Sequence, residues 1–218
     1  MARTIDQPRN ARSRRSRAAL LDATRELISE GGFDALTMAA IAERAGVSRR
    51  SVYLHFTNRA ELVNALFSRL NETEDIGASL QRVWDSPHAV TALAEWGRHL
   101  ARIYPKILPV MQAAERARHV DADAAELWRT GQRGQLAGAR RLADWLAREG
   151  RLASPWTAAT AADMIWSLMS PDLLHRLMHE RHWSARRVGD HLAVLLTATF
   201  ARHPGGPSDV RDHQEEHL

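Results

Sequence analysis

Apolar residues recur at helical spacing along most of the chain. From Ser13 to about Glu30, Leu20, Leu21, Thr24, Leu27 and Ile28 form one stripe, while Arg17, Asp22, Arg25 and Glu26 fall on the other side. Gly31-Gly32 stops this helix, and Phe33 and Leu36 follow as core plugs. Met38, Ile41, Ala42 and Ala45 then share one face of a short helix. Thr37 can cap it, because a threonine hydroxyl accepts from an orphan amide two or three residues on. Gly46 stands where the chain must turn sharply, a place that favours positive φ and therefore glycine. Val47 plugs the corner, and Ser48 can cap a second short helix, Arg49 to Leu54. Val52 faces inward there, leaving Arg49, Arg50, Ser51 and Tyr53 outside. This is a helix-turn-helix pattern. It frees the N-terminal half of the second helix to enter a major groove. His55-Phe56-Thr57 makes a short connection with Phe56 buried. Asn58, Arg59 and Glu61 open the next helix, whose apolar face is Leu62, Val63, Leu66, Phe67 and Leu70.

Beyond Leu70, the stretch 71–86 contains NETED, Gly77 and Ser86-Pro87 and reads as a polar break, with a domain boundary within 68–86. A helix is predicted from about His88 to Tyr104, interrupted by Pro105 and Pro109, and a further one from Ile107 to His119. Asp121 to Asp123 can cap a long helix ending at Gly150. Gly131, Gly134 and Gly138 lie inside it, each costing about 1 kcal/mol against Ala, so close packing or a kink is expected. Ser154-Pro155 reads as a cap with proline at the first helical position, opening a helix to about Glu180 that Ser170-Pro171 kinks. Trp183-Ser184 starts the last helix, with Val188, Leu192, Leu195, Leu196 and Phe200 in register. No strand pattern occurs. Residues 1–12 read as a flexible basic arm and 203–218 as a disordered tail. The expected fold class is all-α with about nine helices. A three-helix helix-turn-helix domain spans 13–70, and a second helical domain spans 71–202.

Charge distribution favours the DNA reading. Residues 1–60 hold 11 Arg against 6 acidic residues, whereas 61–218 hold 19 basic and 20 acidic. The basic excess therefore sits with the helix-turn-helix, where neutralised phosphates would release counterions. A basic tail without a partner would account for Arg3 to Arg17 but not for Arg49, Arg50 and Arg59. The absence of cysteine excludes disulfides, thiol catalysis and thiolate metal sites and fits a reducing cytoplasm. No apolar run approaches the roughly 20 residues that span a bilayer, so no membrane partner is expected.

Two stretches carry a specific resemblance. AALLDATRELISEGGFDALTMAAIAERAGVSRRSVYLHF with TNRAEL resembles the N-terminal DNA-binding domain of the TetR family of bacterial transcriptional regulators. The pair Tyr53 and Phe56 around His55, followed by a polar-basic helix start, is the most specific part. Many members have Lys where this chain has Asn58 or Arg59; Arg59 keeps the charge. ADMIWSLMSPDLLHRLMHERHWSARRVGDHLAVLL resembles the family's last two helices. The resemblance implies that these, near 155–181 and 184–201, build a homodimer interface. It also implies that 13–70 is the DNA-binding domain, whose second short helix reads the major groove, and that 71–202 is a ligand-binding and dimerisation domain.

On that reading Arg49 and Arg50 are the base-edge candidates, because arginine presents two donors that match guanine O6 and N7. Ser48, Ser51, Tyr53 and His55 can donate to phosphates, with core packing the competing reading for Tyr53 and His55. Thr37 and Arg59 stand at helix starts, where backbone amides favour phosphate. Trp96, His99, Ile103, Met111, Trp128, Trp166 and Met169 are the candidates to line a small-molecule cavity, against the alternative of plain core. His175, His179 and His182 stand at i, i+4 and i+7, but the order is not H-E-x-x-H, and no metal or cofactor is expected. No Gly-rich phosphate loop, G-x-S-x-G or metal–base pair occurs, so no enzyme is expected. The expected function is a ligand-responsive transcriptional regulator, a repressor. It would bind a palindromic double-stranded DNA operator as a homodimer and be released by an unknown small-molecule effector. The alternatives are an all-α ligand-binding protein or enzyme without specific DNA binding, and a nonspecific architectural DNA binder.

Overall fold

The computed structural model describes residues 11–73 and 76–202. The arm expected over 1–12 lies outside the described residues except for Ala11 and Arg12, which open the first helix, and the tail expected over 203–218 lies wholly outside them. Ten α-helices occur among the described residues: α1 (Ala11–Gly31), α2 (Met38–Arg44), α3 (Arg49–His55), α4 (Arg59–Thr73), α5 (Ile76–Trp84), α6 (Ala89–Ala117), α7 (Ala122–Arg148), α8 (Ala158–Leu168), α9 (Pro171–His175) and α10 (Ala185–Phe200). A π-helical turn, Arg176–Glu180, continues α9. The nearest approach to β structure among the described residues is one isolated bridge between Leu152 and Ala201.

The chain divides into two compact units. One comprises Met1–Ala78 and Ile103–Gly134, the other Ser79–Arg102 and Gln135–Leu218. The stretch 13–70 falls inside the first unit, whereas 71–202 contributes to both. The first unit has one apolar core. Leu20, Leu21 and Ile28 of α1, Phe33 and Leu36, Ile41 of α2, Val52 and Phe56 around α3, and Leu62, Leu66 and Leu70 of α4 share it with Val110, Met111, Ala114, Leu127 and Trp128 of α6 and α7. Burying each large apolar side chain contributes about 1.5–3 kcal/mol, so the ends of α6 and α7 add substantially to this core. In the second unit, Gly97 of α6 lies against Leu192 of α10, and Gly189 of α10 lies against Arg98 and Ala101 of α6. The two missing side chains let these helices cross closely.

Several helix boundaries differ from the sequence expectation. α5 lies within the stretch read as a polar break; Ile76, Ser79 and Val83 give it a buried side. Pro105 and Pro109 do not interrupt α6, which runs unbroken through both. The two prolines are exposed and one turn apart, while Tyr104, Leu108, Val110 and Met111 are buried. Burial of those residues offsets the roughly 3 kcal/mol that a proline costs inside a helix. Pro155 is not at the start of α8. Thr157 caps that helix instead, in a reciprocal box with Thr160. Ser170-Pro171 does not kink one long helix; α8 has already ended at Leu168, and Ser170 caps a new helix with Pro171 at its first position. His182 is not on the helix with His175 and His179: it lies past the π-helical turn with φ of 53°.

Candidate nucleic-acid interface

The helix-turn-helix is built by local hydrogen bonds that the sequence dictates. Thr37 Oγ1 accepts from Ala40 N at 3.1 Å and caps α2. At the other end of α2, Val47 N donates to Ala42 O at 2.9 Å and Gly46 N to Glu43 O at 3.1 Å, with Gly46 at φ 65°. This is the Schellman arrangement, which needs a left-handed residue at that position. Ser48 then caps α3 by accepting from Ser51 N at 3.2 Å. Val52 and Phe56 are fully buried and fix the rotation of α3 about its axis. Arg49 and Arg50 are therefore exposed, Ser51 is half-buried and Tyr53 is 47% exposed. Leu54 is 44% exposed beside them.

His55 faces the other way. It is 6% exposed, and its Nδ1 is buried without a hydrogen-bond partner. Burial, and secondarily the nearby Arg17 charge, lowers its pKa, so the ring is held neutral. The Arg17 guanidinium lies 5.0 Å from the centroid of the Phe56 ring, a cation–π contact that joins α1 to the end of α3.

The other arginines of this region divide by partner. Arg44 forks onto Glu26 at 3.2 Å and Glu30 at 2.7 Å, tying α2 to α1. Arg59 bonds Asp121 and Asp123, each at 2.7 Å. Arg12, Arg14 and Arg15 at the start of α1 are exposed; sequence reading assigned them to a flexible arm or left them unremarked. The α4 start is fixed by Glu61, whose carboxylate accepts from Thr57 N and Oγ1, each at 2.6 Å, and by Asn58 Oδ1, which accepts from Glu61 N at 2.8 Å.

Of the seven ligand candidates, Ile103, Met111 and Trp128 lie in the first unit, and Trp96, His99, Trp166 and Met169 in the second. All are buried except Trp166, which is half-buried. The structure brings Trp96 and His99 together, with ring centroids 5.7 Å apart, and adds Trp84 at 5.9 Å from Trp96. His99 Nδ1 is 2.9 Å from Ser79 Oγ, and Arg102 donates to the same oxygen at 3.0 and 3.1 Å and to Glu95 at 2.5 Å. Arg102 has only donors, so Ser79 Oγ is the acceptor in both bonds with that side chain. Burial first, then Arg102 and Arg82, pushes the pKa of His99 down to about 4. The Trp96 indole N–H is buried without an acceptor. Sequence reading missed Ser79, Glu95's partners and Trp84 because it placed no helix at 76–84. The spacing of Ile76, Leu80 and Val83 was the signal.

His175 and His179 stack at 4.7 Å, yet among the described residues no group of three or more His, Cys, Asp or Glu is placed to hold a metal ion. No described helix is long and apolar enough to cross a membrane.

Comparison with known proteins bears on the same stretch. Residues 20–66 match the family model described as bacterial regulatory proteins, tetR family. The HTH-type transcriptional regulator TtgR of Pseudomonas putida is 36% identical over 93 residues, 43% of each chain. The HTH-type transcriptional repressor KstR of Mycobacterium tuberculosis is 41% identical over 69 residues, 30% of this chain and 31% of its own. The matched stretch thus spans less than half of either relative. Over the wider chain, the structure described as the SmeT–triclosan complex has the same fold, with a TM-score of 0.68 at 20% identity, covering 87% of this chain and 95% of that one. The capped α2–turn–α3 geometry and the family match thus fall on the same residues: 20–66 form a helix-turn-helix segment similar to that of the tetR family of bacterial regulatory proteins.

Proposed function

We propose that the chain is a DNA-binding transcriptional regulator that acts as a homodimeric repressor of a palindromic operator and is released by a small molecule. One observation carries the DNA reading. α3 is capped by Ser48 and locked in rotation by Val52 and Phe56, so that it presents Arg49, Arg50 and Tyr53 to solvent. A major groove accepts such a helix, and arginine at its start can read guanine. Thr37, Ser48 and Ser51 flank it as phosphate donors; His55, being buried and neutral, serves the reading helix through packing.

Homodimerisation is supported by the apolar residues that α8 and α10 leave open: Met164 at 41%, Val194 at 68% and Leu195 at 43% exposure. An effector is supported by the Trp84–Trp96–His99 cluster with its unpaired indole donor, which suits a largely aromatic molecule carrying a hydrogen-bond acceptor. The solved SmeT complex holds triclosan. Repression agrees with the name of the relative KstR.

The test is duplex binding across a salt series, using a sequence selected by the full chain from a random pool. The expected result is a steep fall in affinity with salt and a selected-over-random preference that drops about 5- to 150-fold in Arg49→Ala or Arg50→Ala, the 1–3 kcal/mol of one bidentate base contact. No duplex binding at low salt overturns the reading and leaves an all-α ligand-binding protein.

A further inference from the structure

Arg59 stands where the family resemblance suggests a phosphate anchor, at the first position of α4. Its guanidinium is committed elsewhere. Nε donates to Asp123 Oδ2 and an Nη to Asp121 Oδ2, both at 2.7 Å. These acids stand at the start of α7, 62 and 64 positions further along the chain. The three side chains are only 28%, 13% and 23% exposed, for Arg59, Asp121 and Asp123 respectively.

The acids are themselves held in place. Asp121 Oδ1 accepts from Asp123 N at 3.0 Å and Ala124 N at 2.9 Å and so caps α7, while its Oδ2 meets Arg59. Burial works against both charges. The bonds from Asp123 and Asp121 outweigh it and raise the Arg59 pKa, and those from Ala124 and Arg59 outweigh it and hold Asp121 below the usual carboxylate range. Two carboxylates surround one cation. A phosphate approaching Arg59 would meet net negative charge, not positive.

From this geometry we infer that Arg59 is a positioning residue, not a phosphate contact: it latches the start of α4 to the start of α7. Only Phe56, Thr57 and Asn58 connect α3 to α4: Phe56 N still bonds Val52 O of α3, while Thr57 and Asn58 are tied to Glu61 in the first turn of α4. α3 therefore takes its placement from α7 through this latch and through the shared core. A shift of the first turn of α7 is passed to the reading helix. The inference rests on the DNA-binding reading above.

The experiment compares the full chain with Arg59→Gln, the double variant Asp121→Asn/Asp123→Asn and the triple variant, on the selected duplex. A latch predicts that Arg59→Gln binds at least about fivefold more weakly with an unchanged slope of log affinity against log salt. The double variant loses a similar factor, and the triple variant loses no more than either. A slope shallower by about 0.9 in Arg59→Gln, the signature of one lost phosphate contact, overturns the inference; so do additive losses. Hydrogen exchange at Ala124 to Leu127 gives a readout that needs no DNA. Faster exchange there in Arg59→Gln is expected, and unchanged exchange overturns the latch even if the chain proves not to bind DNA.

Discussion

A methyl group added at Gly138 would run into the ring of Trp96, whereas one added at Gly134 meets nothing within 4 Å. Both glycines lie inside α7, where replacement by alanine ordinarily stabilises by about 1 kcal/mol. The pair should therefore separate in sign. Gly134→Ala should raise the melting temperature by a few degrees, and Gly138→Ala should lower it because the buried indole must shift. Thermal unfolding of the two single variants checks this, and equal shifts would refute it. The sequence flagged these glycines alike, as sites of close packing or a kink. It could not separate them, because the neighbour of Gly138 is a tryptophan 42 positions earlier. The arginines show the same limit. Arg49 and Arg59 look equivalent in the sequence, both basic and both at a helix start. Only one of them has two carboxylates brought to it by the start of a helix more than 60 positions further along the chain.

Helix ends were the most legible elements wherever the signal is local. Ser48, Gly46, Gly150 and Ser184 act in their own or the adjacent turn, and each stands where its chemistry requires. Elements whose stability comes from elsewhere were not. α6 survives two internal prolines through burial of the residues beside them, and α5 is a short helix with a polar approach. The start of α6 is also set from a distance. Glu149 accepts from Ala89 N at 3.0 Å, and its other oxygen takes the Trp145 indole N–H at 2.7 Å. This satisfies one of the helix's orphan donors. Glu149→Ala should cost about 1 kcal/mol, in line with loss of a cap, while Glu149→Gln, which keeps an acceptor oxygen, should lose much less. Urea unfolding of both variants measures the difference; equal losses would show that the charge, not the acceptor, matters.

At the scale of the whole molecule, His99 couples stability to pH. Its folded pKa lies near 4, below the roughly 6.5 of an unfolded histidine. The unfolded chain thus takes up a proton first as pH falls. The contribution is complete above about 6.5, declines through the interval down to about 4 and is gone below it, a total on the order of 3 kcal/mol. His55 is shifted in the same direction by burial and Arg17. His99→Gln should flatten the fall of melting temperature between pH 6.5 and 4, and curves parallel to those of the parent would refute the assignment. The all-α class and the helix-turn-helix were legible because they follow from spacing. The make-up of the compact units was not, since it depends on which helices share a core. That core has a practical meaning for protein engineering. The helix-turn-helix is not a cassette that can be cut out at residue 70. Leu20, Ile28, Leu62 and Leu70 share their core with Met111, Ala114, Leu127 and Trp128. A chimaera that moves this helix-turn-helix onto another scaffold must carry residues 103–134 along, or supply a graft that refills the same core.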